Sequence, residues 1–129
     1  MEFQWDVLDE HQGGMPVVHK RCALLNELCK SKRQARAAAA MDATIVNNLH
    51  ASHGNFVAVL DLKDVQFRPC IYAFVKESLR LQAARPHHTY IVNMPTWGAK
   101  VFKLVRKWLN DDDIAACSMQ QGPWTGVRQ

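Results

Sequence analysis

A chain of 129 residues, 48% hydrophobic and 22% charged, has the makeup of one globular domain and excludes global disorder; it can bury about two-thirds of its unfolded surface without a metal or disulfide. No apolar run reaches about 18 residues, and the N-terminus has neither a basic nor an apolar leader segment, so the expected address is cytoplasmic rather than secreted or membrane-spanning. A formal net charge of +4 favours acidic partners: lipid headgroups, nucleic acid or an acidic protein.

Phe3 to Leu8 and Met15 to His19 are short apolar stretches on either side of a polar segment, Asp9 to Gly14, whose paired glycines suit a reversal of direction. They predict a β-hairpin. Cys22 to Ser31 fits a short helix or a continuing strand equally well. Arg33 to Leu49 is rich in alanine, and Met41, Ile45 and Leu49 recur every four residues, which predicts a helix ending at His53-Gly54. Phe56 to Leu62 is almost wholly apolar, the pattern of a central strand in a parallel sheet. A second amphipathic helix is predicted from Pro69 to about Ala84, with Ile71, Phe74, Val75, Leu79 and Leu81 on one side.

The stretch Thr89 to Leu109 is the most informative. Tyr90, Ile91 and Val92 suit a short strand, and Pro95 forces Met94 out of the helical region and ends it. A helix follows, with Asn93 or Thr96 as its expected cap. At 100° per residue, Trp97, Val101, Leu104, Val105 and Trp108 fall on one arc and Lys100, Lys103, Arg106 and Lys107 on the other. Ile114 to Met119 is a candidate last strand, and residues 120–129, rich in Gln and Gly, are expected to form a flexible tail. The order, a β-hairpin followed by αβαβαβ, predicts an α/β fold with a mixed, mainly parallel sheet flanked by helices.

Catalytic signatures are missing. Neither glycine-rich phosphate motif occurs, and no serine lies in a nucleophile elbow. Cys22, Cys29, Cys70 and Cys117 form no C-x-x-C pair and read as reduced, mostly buried thiols. His50-x-x-His53 and His87-His88 fall short of the ligand number that a zinc site needs, so no metal and no cofactor are expected. Asp61 and Asp64, at the carboxyl end of the central strand, lie where α/β sheets tend to bind ligands; the simpler reading puts Asp64 in a turn and pairs Asp61 with a neighbouring amide or base. A further basic cluster, Lys30, Lys32, Arg33 and Arg36, lacks interleaved aromatics for stacking bases, which argues against nucleic acid.

Taken together, Gly54 to Val65, Phe74-Val-Lys-Glu-Ser-Leu, His88-Thr-Tyr-Ile-Val-Asn-Met-Pro-Thr-Trp and Leu104-Val-Arg-Lys-Trp-Leu resemble the CRAL-TRIO lipid-binding domain from about Gly14 to Met119. The resemblance implies a non-enzymatic domain whose cavity, between sheet and helices, takes up one lipid or other hydrophobic molecule for transfer or sensing. Trp97, Val101 and Val105 are the pocket candidates, and Lys100, Lys103, Arg106 and Lys107 would meet an anionic membrane peripherally. On this reading residues 1–129 form a single domain without the family's N-terminal helical segment or its C-terminal gate helix, so the pocket would be open, collapsed or shared with a partner chain, and an exposed apolar seam could be covered by homodimerisation. Pro95-Thr96-Trp97 also resembles the BCH-type branch, which implies instead a protein scaffold for small GTPases or their regulators. A weaker similarity, to the STAS regulatory domain, lacks the phosphorylatable serine after the central strand, where Phe67-Arg68-Pro69-Cys70 stands.

Overall fold

The computed structural model describes residues 3–126. Strands β1 (Gln4–Gln12) and β2 (Met15–Arg21) form an antiparallel hairpin, and β2, β3 (Val57–Asp61), β4 (His88–Val92) and β5 (Cys117–Met119) run parallel in the order β1-β2-β3-β4-β5. Helices α1 (Leu25–Leu28) and α2 (Lys32–His53) join β2 to β3, α3 (Cys70–Leu81) joins β3 to β4, and α4 (Gly98–Val105), a 3-10 turn at Arg106–Trp108 and α5 (Asp111–Ala115) lead to β5. The mixed α/β architecture and the central place of β3 are those expected from the sequence.

The hairpin is longer than its hydrophobicity suggests. Asp9 to Gln12, read as loop, extend β1 across a register shift between Val7 and His11, and the reversal is confined to Gly13 and Gly14. Both glycines have positive φ, 57° and 79°, the geometry of a two-residue turn matched to strand twist. The undecided stretch resolves into the single turn α1. Helix α2 starts at Ser31, whose Oγ accepts from Gln34 N at 3.1 Å.

Side chains alternate across the strands. Val18 and Lys20 of β2, Ala58 and Leu60 of β3, and Thr89 and Ile91 of β4 face the helices, whereas Val17, Val57, Val59 and Val92 face the other way. Each parallel crossover moves one strand further in the same direction, so right-handed connections put α2, α3 and α4 on one face. The opposite face is covered by Leu8, Tyr90 and Trp124.

Part of the stretch expected to form a flexible tail packs on this second face. Residues 120–126 are docked: Asn93 N donates to Gly122 O and Met94 N to Gln120 O, Trp124 lies 5.1 Å from the Tyr90 ring, and its Nε1 donates to Glu10 at 2.8 Å. Among the described residues no helix covers that face, and Trp124 packs on it instead; residues 127–129 of the expected tail lie outside the described residues.

Two further expectations change. The buried side of α2 is Ala35, Ala38, Ala39, Asp42, Ala43 and Val46, while Met41 is 44% exposed. Alanines allow α3 to approach closely, and a polar residue on this face rotates the helix away from its apparent apolar stripe. Neither Asn93 nor Thr96 caps α4, whose N-cap is Trp97 with no side-chain bond. Asn93 instead takes a left-handed conformation, φ 52°, and turns its amide toward β3. At Gly98 a Cβ would overlap Met94 Sδ, so any larger residue here requires the Met94 side chain to move aside.

Candidate functional site

Between the helical face of the sheet and helices α3 and α4 lies a partly open cavity of about 250 Å³. Ala58, Leu60, Thr89 and Ile91 form its floor, Phe74, Val75 and Leu79 of α3 one wall, and Val101, Phe102 and Val105 of α4 the other. The i, i+3, i+4 spacing of Ile71, Phe74 and Val75 explains how one amphipathic helix serves both core and cavity.

The three residues expected to line a pocket, Trp97, Val101 and Val105, all stand in this wall. Val101 and Val105 are buried, and Trp97 sits at the edge, 5.6 Å from the Phe67 ring. Leu104 and Trp108, placed by the sequence on the same arc, are 44% and 36% exposed. Leu104 lies at the border of the arc, and the helix tightens to a 3-10 turn at Arg106, which rotates Trp108 off the stripe, to where Lys76 Nζ lies 5.8 Å from its ring. Lys100, Lys103, Arg106 and Lys107 all face solvent, beside Leu104 and Trp108. Among the described residues none of the four makes an ion pair.

One feature of the cavity escaped periodicity. Lys20 and Asp42, 5% and 2% exposed, pair at 2.7 Å in its wall. Trp5 Nε1 donates to the second oxygen of Asp42 at 2.8 Å, and Lys20 Nζ lies 4.4, 5.0 and 5.3 Å from the ring centres of Phe3, Trp5 and Phe74. The ammonium is thus neutralised by a carboxylate and stacked within an aromatic cage. Two features mark the positions once the inward faces are known: Lys20 shares the inward parity of Val18 on β2, and Asp42 follows Ala38 and Ala39 at helical spacing.

Asp61 acts as a clamp at the carboxyl end of the sheet. It accepts from Asn93 Nδ2 at 2.8 Å and Lys63 N at 3.0 Å, and His19 Nε2 is 3.3 Å away, so it ties β2, β3 and β4 together. Asp64 lies in a turn with φ 65°. Desolvation pushes the Asp61 carboxyl up, but the Asn93 amide, the Lys63 N–H and His19 together outweigh it and hold the group below its ordinary range. A carboxyl that is more acidic folded than unfolded stabilises the protein above the unfolded value, and that contribution is lost as pH falls through the folded value. In urea titrations the wild type should therefore lose more stability than Asp61→Asn on acidification below about pH 4. Equal losses would show that the clamp does not contribute.

The remaining titratable groups are dispersed. His50 packs 4.5 Å from the Phe56 ring, His88 Nε2 is 2.8 Å from Ser118 Oγ, and among the described residues no three His, Cys, Asp or Glu side chains converge as a metal site. Burial pushes the thiols of Cys22 and Cys29 up to about 11, so both are protonated and unreactive at neutral pH. Among the described residues no helix is long and apolar enough to cross a membrane.

No curated protein matches the sequence significantly. The crystal structure of Sfh5 shares the fold, with a TM-score of 0.64 at 13% identity; the match covers 92% of this chain and 46% of that one, so the present chain spans about half of the Sfh5 chain's length. The family model for the CRAL/TRIO domain matches residues 8–114, from within β1 to within α5. With that match over most of the sequence, and a cavity between a mainly parallel sheet and its helices, the chain belongs to the CRAL/TRIO domain family.

Proposed function

We propose that this domain binds one lipophilic molecule, without covalent chemistry, in the cavity between β3, β4, α3 and α4. The observation that carries this reading is the cavity itself: a space of about 250 Å³ with a predominantly apolar lining that includes Ala58, Leu60, Ile91, Phe74, Val101 and Val105. Water is poorly held in such a space, and an apolar guest fills it favourably. Trp97, at the edge of the cavity, would close over the guest. Native mass spectrometry of protein purified from cells, followed by organic extraction, tests the reading. A stoichiometric lipophile is expected, and protein that remains empty after exposure to lipid extracts would overturn it.

The outer surface of α4 supports loading from an anionic membrane. Lys100, Lys103, Arg106 and Lys107 supply charge, and Leu104 and Trp108 supply apolar contacts beside the cavity wall. Each base near an anionic surface contributes about 1 kcal/mol. Replacing all four by Gln should weaken binding to phosphatidylserine vesicles by about a thousandfold at low salt. Unchanged vesicle binding would remove the membrane role. The same surface also suits an acidic protein, the scaffold alternative: a pulldown that depends on these bases and is indifferent to lipid would favour that reading.

A further inference from the structure

We propose that the molecule held in the cavity is uncharged and single-chained, and that it carries a hydroxyl or carbonyl group that hydrogen-bonds to Ser78 Oγ. This rests on the lipophile reading above and narrows it to a ligand class. Ile71, Phe74 and Ser78 form the buried stripe of α3, so the third position of an apolar face is occupied by a polar residue. Ser78 is 6% exposed and lines the cavity, and its Oγ has no hydrogen-bond partner among the described residues. A mid-helix serine commonly bonds back to the carbonyl one turn earlier, and this one does not. A buried hydroxyl left unpaired is unfavourable, and a ligand that supplies its partner removes that penalty. A hydroxyl both donates and accepts, so either an alcohol or a carbonyl serves.

The other polar groups of the wall leave no charge to be matched. Lys20 Nζ and Trp5 Nε1 both bond to Asp42, which makes that end neutral overall. Arg85, also in the wall, donates from its Nη2 to Leu79 O at 2.8 Å and faces the Asp113 carboxylate at 3.9 Å, its Nε making no hydrogen bond among the described residues but its charge balanced by that carboxylate. A carboxylate or phosphate inside would meet only cations whose charge Asp42 and Asp113 already balance, so an anionic guest would be desolvated without a matching charge. Size sets the second limit. A cavity of 150 Å³ accommodates benzene, so about 250 Å³ accommodates about ten carbon atoms. That is one chain or ring system, with any remainder projecting through the open side, and it excludes enclosure of a two-chain phospholipid.

The test uses the full chain and three probes of equal length, 1-decanol, decane and decanoate, each displacing a polarity-sensitive fluorescent dye from the cavity. Decanol should bind at least as tightly as decane, and decanoate most weakly. Ser78→Ala should lower decanol affinity by about 3- to 10-fold and leave decane unchanged, while Ser78→Thr, which keeps the hydroxyl, restores decanol binding. Loss of the unpaired hydroxyl should also leave ligand-free Ser78→Ala at least as resistant to heat as the wild type, which separates the binding effect from misfolding. Decanol affinity equal in wild type and Ser78→Ala, or decanoate as the tightest probe, overturns the assignment while the lipophile reading stands. Failure of all three probes to displace the dye overturns both.

Discussion

Asp42→Ala should lower the unfolding free energy by about 3–5 kcal/mol, because it leaves the Lys20 ammonium buried with no counter-charge. The pair sits at 5% and 2% exposure, and Trp5 Nε1 loses its acceptor in the same step. For a domain with about 5–15 kcal/mol of total stability, this is a large share of the whole. The measurement is a urea transition midpoint at constant slope. A paired replacement, Lys20→Met with Asp42→Leu, removes both charges and should recover most of the loss, since apolar residues of similar volume often replace a buried ion pair without cost. A single-variant loss below about 1 kcal/mol would mean that water reaches the pair and that it does not lock α2 to β2.

Val101→Trp should abolish uptake of the lipophile with the fold retained. Val101 is 8% exposed and its side chain forms part of the α4 wall, so an indole there occupies space the guest would fill. Denying a ligand about 100 Å² of apolar contact removes about 2.5 kcal/mol, close to a hundredfold in affinity. Overpacking costs about 1–3 kcal/mol of stability, which a domain of this size tolerates. Ala37→Trp, on the solvent side of α2 and away from both the cavity and the basic surface of α4, is the control: it should leave uptake in the cavity unchanged. Equal uptake by wild type and Val101→Trp would place the guest elsewhere. Both variants are scored by the amount of extractable lipophile per mole of protein.

Much of this molecule follows from local rules. The apolar run from Phe56 to Leu62 has the pattern of a central strand, Pro95 ends β4 and precedes a helix, and the spacing of Trp97, Val101 and Val105 fixes which side of α4 turns inward. Those constraints act over a few residues, through sterics and through the 3.6-residue and two-residue repeats, so the sequence carries them openly. The same constraints placed Asp61 at the carboxyl end of the sheet with an amide and a base for partners.

What the sequence could not decide is which residues meet across the chain. Periodicity says that a face is apolar, and not what will cover it. Lys20 and Asp42 are 22 positions apart and each alone reads as a surface residue; they become a buried pair only because α2 crosses back over β2. Met41 loses the core to an alanine face because α3 packs close, and Trp124 leaves an apparently frayed tail because all the crossover helices lie on one side of the sheet and the other needs a cover. Ser78 looks like an ordinary polar break in an amphipathic helix until the cavity beside it is seen. Burial, charge pairing and the chemistry of the cavity are sums over contacts distant in sequence, and only the tertiary structure performs them.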